Sequence, residues 1–282
     1  MNCVVCGSPR NDRAYYGEIR GMAESGEIIE CQDCGVQTLK DFELADYADG
    51  YRDEVGADDL KRHTPAIVDI ARYESAIDEK DVLDIGASNG AYMMGIEKYA
   101  KSVSGVEPNE YQRDQLSVRY KMYESLEECI EQGCEYDTIT AWHVLEHVQD
   151  PVDFLEKCAC LLKENGKIYL STPNTDEILM KVLPDDFPKF FYRAWHPYYF
   201  TIDSMLELAK HAGLEVLSCA AKHSWGLGNT MSWLRDKKPA GQGLEIEPNQ
   251  DALIDPVWRA YLEQAELGDT IYCVLSKDRR FN

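Results

Sequence analysis

The chain has 282 residues, 44% of them hydrophobic and 10% aromatic, which excludes wholesale disorder and fits one large α/β domain with a small appendage. Lys and Arg number 29 against 51 Asp and Glu, a formal charge of -22, so neither nucleic acid nor an anionic membrane is expected as a partner. No apolar run nears the ~20 residues that span a bilayer. The opening Met-Asn-Cys-Val-Val-Cys lacks a basic segment and an apolar stretch, so the expected compartment is the cytoplasm.

Four of the ten cysteines form two tight pairs, Cys3-Val-Val-Cys6-Gly7 and Cys31-Gln-Asp-Cys34-Gly35. Each C-x2-C turn brings two thiolates to one side, and two turns complete the tetrahedral sulfur shell that zinc prefers. A glycine after each second cysteine permits the backbone conformation that points amides toward sulfur. Between the pairs, Ala14-Tyr-Tyr-Gly17 and Gly26-Glu-Ile-Ile-Glu30 read as two short strands. The segment therefore reads as a zinc ribbon over residues 1–40, with Cys3, Cys6, Cys31 and Cys34 holding a structural Zn2+. Four cysteines leave no open position for catalysis, and ~40 residues fold poorly without a metal. The other six cysteines lie mostly among apolar neighbours and read as small hydrophobes. Residues 41–74, with Tyr47 and Tyr51, form a linker or helical lid.

Asp81-Val-Leu-Asp84-Ile85 is an apolar strand running into Gly86-Ala87-Ser88-Asn89-Gly90, with a helix from Ala91. In a parallel sheet this junction lies at the carboxyl edge, where ligands bind. The next strand, Ser102–Val106, closes on Glu107, a carboxylate placed to accept both hydroxyls of a ribose. Ser88 stands where a dinucleotide fingerprint has its second glycine. Tyr136–Trp142 reads as a further strand, followed by His143-Val-Leu-Glu146-His147. Asp150 fits a helix N-cap, with Pro151 at the first helical position. Phe154, Leu155, Cys158, Leu161 and Leu162 make that helix's apolar face, and Gly166 fits its C-terminal cap. Lys167–Asn174 is the next strand. Met205, Leu208, Ala209 and Ala212 line a helix closed by Gly213, and Leu214–Cys219 and Thr270–Ser276 are the last two strands. The stretch at about 225–268 reads as an insertion, polar and rich in Gly and Pro in its first half and helical in its second.

Asp84-x-Gly86-x-x-x-Gly90, with Glu107 closing the second strand, resembles class I S-adenosylmethionine-dependent methyltransferases. The resemblance spans residues 75–223 and 269–278 and implies an α/β fold: a seven-stranded Rossmann-like sheet over 75–282, fronted by the small zinc ribbon. It implies S-adenosyl-L-methionine as cofactor, with Asp84, Gly86, Ala87, Ser88 and Gly90 at the methionine end. Glu107 would hold the ribose, Pro108 the adenosine pocket, and Trp142 and His143 the sheet edge. Ribbon, linker and core together resemble the sugar and surface-polysaccharide methyltransferases. Those acting on carbon carry a further C-terminal domain, so the expected reaction is O-methylation of a nucleotide-linked or polysaccharide sugar. An O-methyltransferase of a non-sugar metabolite, a quinone precursor or a phenol, is the alternative; a non-catalytic cofactor-binding module is a third reading. A histidine of near-neutral pKa suits deprotonation of a hydroxyl, which singles out His143, His147 and His196 as candidate bases. Quinone-pathway and small-RNA 2'-O-methyltransferases bind a divalent ion through Glu-x-x-Glu-His at this position, where the chain has His143, Glu146 and His147. The aromatic run Phe190, Phe191, Tyr192, Trp195, Tyr198, Tyr199 and Phe200 serves either stacking on an acceptor or plain packing. Oligomeric state is not legible.

Overall fold

The computed structural model describes residues 2–42, 76–238 and 253–277. The linker or lid expected at 41–74 lies outside the described residues except at its first two positions. The described strands form two sheets.

The larger has seven strands: β4 (Asp81–Ile85), β5 (Ser102–Val106), β6 (Lys121–Tyr123), β7 (Tyr136–Trp142), β8 (Leu162–Pro173), β10 (Leu214–Lys222) and β11 (Thr270–Lys277). Their order is β10-β11-β8-β7-β4-β5-β6. β4 to β8 run parallel, and β11 lies antiparallel between β8 and β10. The near-continuous apolar runs explain this arrangement, because a parallel sheet is covered on both faces. Val82, Leu83, Ile139, Ile168 and Leu170 are fully buried. The crossovers carry α1 (Ala91–Ile96), α2 (Glu110–Ser117), α3 (Leu126–Glu131) and α4 (Pro151–Cys160). After β8 come α5 (Ile178–Val182), α6 (Pro188–Phe191) and α7 (Ile202–His211). The expected seven-stranded α/β sheet is the observed one. The carboxyl ends of β4, β5, β7 and β8 share one edge, and every candidate site residue outside the cysteine cluster and His196 lies on those strands or just beyond them.

Two local expectations are corrected. The helix after Asp150 ends at Cys160, and Gly166 lies within β8 instead of capping it, because Leu162 already pairs with Tyr136 of β7. The 225–268 stretch carries a helix near its start as well: α8 spans Leu227–Asp236, the expected later helix is α9, Ile254–Gln264, and residues 239–252 between them lie outside the described residues. The N-terminus of α8 is capped from a distance, the Leu227 amide donating to Asp255 Oδ1 at 2.9 Å.

The smaller sheet joins β1 (Asn11–Gly17), β2 (Gly26–Cys31) and β3 (Gln37–Leu39) to β9 (Tyr198–Tyr199). Its fourth strand thus comes from far along the chain, with Gln37 opposite Tyr199 and Thr38 opposite Tyr198. Val5, Cys31, Cys34 and Val36 belong to the same buried cluster as Met205 and Leu208 of α7. Of the aromatic run, Phe191, Tyr192, Tyr198, Tyr199 and Phe200 are buried, so these five serve packing. No helix among the described residues is long and apolar enough to cross a membrane.

Candidate functional site

The chain enters the site through the loop after β4. Gly86 and Gly90 have φ of 72° and 75°, and Ser88 between them is also left-handed at 48°. This folds the loop so that the Ser88 amide donates to Glu107 Oε2 at 2.7 Å, while the Asn109 amide donates to Oε1 at 2.9 Å. A carboxylate offers about four lone-pair directions, so two remain for a diol. Burial raises the Glu107 carboxyl above its ordinary value despite these amides. Asp84 is buried, accepts from the Thr140 hydroxyl at 2.8 Å, and is pushed up to about 7 by burial, with repulsion from Glu107 adding to the effect. Ala87 is buried beneath the loop, beside Met93 and Leu116. Pro108 lies between Glu107 and Asn109, and its carbonyl accepts from Arg113. Trp142 is buried against Tyr92 and Tyr272, a core position.

Histidines gather at the end of β7. His143 has φ of 55°, a conformation that costs a non-glycine residue about 1 kcal/mol or more. Its side chain remains 46% exposed and its Nδ1 lies 3.2 Å from Glu146 Oε1. Burial acts to lower its pKa, but the hydrogen bond and charge of Glu146 outweigh it and lift the imidazole above its ordinary value. Glu146 is 1% exposed and accepts from the Thr172 hydroxyl at 3.1 Å through Oε2. Burial opposes its ionisation, yet His143, with His147 and His196 beyond it, brings the carboxyl down to about 2. His147 and His196 meet edge to face, ring centres 4.5 Å apart. The His147 Nδ1 lies 2.9 Å from the Trp195 carbonyl, which fixes that nitrogen as the donor and leaves Nε2 with its lone pair. Burial lowers the pKa of both rings, that of His196 the more strongly.

Glu146, His147 and His196 each offer a ligand atom within 4.8 Å of the others. The third member of this group is therefore His196, 49 residues along, and not His143 of the sequence pattern. Sequence reasoning passed over Thr140 and Thr172, whose hydroxyls hold the buried carboxylates of Asp84 and Glu146. Their signal was a polar residue inside an otherwise apolar buried strand, which needs a partner.

The N-terminal cysteines converge as well. Cys3 and Cys34 sulfurs are 3.5 Å apart, as are those of Cys6 and Cys31, and all four lie within 4.8 Å of one another. A tetrahedral shell with Zn–S bonds of about 2.3 Å has edges of about 3.8 Å, so the four fit one zinc ion. Gly7 and Gly35 both take the left-handed backbone, and their amides donate to the Cys3 and Cys31 carbonyls.

A family model described as "Methyltransferase domain" matches residues 60–219. Among curated proteins, the chain is similar to the "Ubiquinone biosynthesis O-methyltransferase" of Coxiella burnetii, 28% identical over 180 residues, covering 56% of this chain and 73% of that protein. Among solved structures, it is similar to a SAM-dependent methyltransferase from Archaeoglobus fulgidus, with a TM-score of 0.52 at 14% identity, over 80% of this chain and 100% of that one. A second, from Thermotoga maritima and described as a possible histamine N-methyltransferase, has a TM-score of 0.51 at 14% identity, over 80% and 95%.

Proposed function

This chain belongs to the methyltransferase-domain family and is an S-adenosylmethionine-dependent methyltransferase, and we propose that its acceptor is a hydroxyl of a small non-sugar metabolite of the phenol or quinone-precursor class. The names of the curated relatives favour this alternative over the sugar acceptor expected from the ribbon and core. The observation that carries O-methylation is the buried Glu146 carboxylate bonded to the half-exposed His143 ring.

The cofactor supplies an electrophilic methyl group on a sulfonium, so the protein must align the acceptor and take its proton. Glu107 offers its remaining lone pairs to the ribose, and the 86–90 loop shapes the methionine end. His143 presents Nε2 to the acceptor while its Nδ1–H donates to Glu146. Glu146 stays ionised, raising the basicity of that ring and balancing the imidazolium once the acceptor hydroxyl has given up its proton. One carboxylate with two uncharged imidazoles is also a donor set that suits a divalent ion, so Glu146, His147 and His196 would hold one. Such an ion would act as a Lewis acid on the acceptor oxygen. We assign the four-cysteine cluster a structural zinc, and the boundaries 1–40 and 75–282 to ribbon and catalytic domain.

The test offers methyl-labelled S-adenosylmethionine together with catechols, dihydroxybenzoates and nucleotide sugars, with and without added Mg2+, Mn2+ or Zn2+. Label in the phenolic products is expected; label confined to the nucleotide sugars would reinstate the sugar reading. His143→Ala should lower kcat by about 10²- to 10⁴-fold with S-adenosylhomocysteine affinity unchanged. An unchanged kcat would remove His143 as the base.

A further inference from the structure

The segment carrying His196 is bonded through its backbone to the N-terminal module, while its Tyr198 hydroxyl donates to the Gln149 carbonyl of the larger domain at 2.9 Å. The Arg20 amide donates to the Tyr192 carbonyl at 3.1 Å, and the Ala194 amide donates back to the Arg20 carbonyl at 2.9 Å. On the other side of the segment, the Leu39 amide donates to the Pro197 carbonyl at 2.8 Å, where β3 pairs with β9. Side chains repeat the pattern: the Tyr192 hydroxyl donates to Gln37 Oε1 at 2.9 Å, and the rings of Tyr15 and Tyr192 lie 5.1 Å apart. Residues 192–199 are thus clamped between 19–21 and 37–39 of the N-terminal module. Within the clamp, the Tyr199 hydroxyl accepts from the Arg193 amide and donates to the Arg193 carbonyl, closing a tight loop around Trp195 and His196. By contrast, the amides that hold Glu107 belong to the parallel sheet's own loops, at Ser88 and Asn109.

We propose that the N-terminal four-cysteine module is the positioning frame of the acceptor site, with Gly21 and Gln37 acting as positioning residues for Trp195, His147 and His196. The chain of contact is short. Gly21, at φ 90°, lies so close to Trp195 that a β-carbon there would sit 2.6 Å from the indole ring. The carbonyl of Trp195 holds His147, and His147 in turn packs on His196. A module that pairs with the 192–199 segment, and with no described strand of the larger sheet, thereby sets where two site histidines stand, while the hydrogen bonds that hold Glu107 come from the larger sheet's own loops.

The inference rests on the reading that these histidines serve the acceptor, but its test needs no acceptor and no turnover. In the full chain, Gly21→Ala adds the β-carbon and strains the backbone, driving Trp195 aside. Tyr192→Phe is the gentler companion: it deletes one hydroxyl and leaves the ring. We expect amide exchange across 192–199 to rise by about tenfold in Gly21→Ala and about threefold in Tyr192→Phe, the range set by one lost hydrogen bond. The imidazole NMR resonances of His147 and His196 should shift in both variants, with S-adenosylhomocysteine affinity within about twofold of wild type. Unshifted resonances with wild-type exchange would overturn the proposal. So would an equal loss of S-adenosylhomocysteine binding, since the module would then stabilise the whole fold and not the acceptor half. If Gly21→Ala fails to fold, Tyr192→Phe decides alone. A failure of the phenolic acceptor assay would leave both readouts untouched, so the two ideas fall separately.

Discussion

Asp84 shows how a single buried carboxyl makes the fold sensitive to pH. Held up to about 7 by burial, it is divided between its two forms near neutrality, whereas in the unfolded chain it titrates at about 3.9. Between those values the folded state carries the extra proton, so this group's contribution to stability falls as pH rises through that window and levels off above it. Asp84→Asn keeps an acceptor for the Thr140 hydroxyl and removes the charge. Denaturant titration should find the variant more stable than wild type at pH 8, with an upper bound of roughly 4 kcal/mol, and the two converging towards pH 4. Equal differences at both pH values would mean that Asp84 ionises normally inside the fold. At this scale the meeting of the 86–90 turn with Glu107 was legible in the sequence because its logic is local: Gly86, Gly90 and Glu107 announce themselves by spacing along two consecutive strands. The meeting of His147 with His196 was not, because 49 residues separate them and the second ring is brought in by long-range bonding of 192–199 to the N-terminal module, at Arg20 and at β3.

Among the elements, α4 was read from its ends inward, and the reading explains both its success and its error. Asp150 accepts from the amides of Val152 at 2.9 Å and Asp153 at 3.1 Å, and Pro151 occupies the first helical position. This start matters to the site because Phe154 and Leu155 pack in one buried cluster with Leu145, in the short turn that carries Glu146 and His147. Asp150→Ala removes the acceptor for two backbone amides and should cost about 1 kcal/mol, lowering Tm by about 2–4 °C. Differential scanning calorimetry checks it; an unchanged Tm would mean water caps the helix equally well. The far end was misread because Gly166 is a good local stop signal, but sheet pairing captures the chain at Leu162 first. Helix α8 was missed for the converse reason. Gly226 and Gly228 weaken its pattern, and its N-terminal cap comes from Asp255, outside any local window.

For the whole molecule, the sequence suggests a ribbon that melts by itself, whereas the packing argues for coupling in one direction. The four cysteines close a shell suited to zinc, and zinc–thiolate sites contribute on the order of 10 kcal/mol or more to small folds. Yet Cys31 and Cys34 share a buried cluster with Met205 and Leu208, and Ile28 and Leu39 share another with Leu179, Phe187 and Tyr199. Loss of the assigned metal would therefore expose apolar surface around β9 and α7 of the larger domain as well as in the ribbon. The parallel strands β4, β5 and β7 put Leu83, Val106 and Ile139 into the first of these clusters, but their backbones are paired with one another and not with the ribbon. Elemental analysis should find one zinc per chain. After removal by a strong chelator, hydrogen exchange should rise together over 11–39 and 192–199 while β4, β5 and β7 stay protected, and Tm should fall by about 5 °C or more. Binding of S-adenosylhomocysteine should persist below the new Tm, because Glu107 and the 86–90 loop are held by the larger sheet. Protection retained at 192–199 after the metal has gone would show that β9 and α7 stand without the ribbon. Loss of protection in β4 would mean that the shared clusters make ribbon and sheet a single cooperative unit. A chain of formal charge -22 also repels itself in the compact state, so stripping in low salt should magnify the loss and added salt should recover part of it.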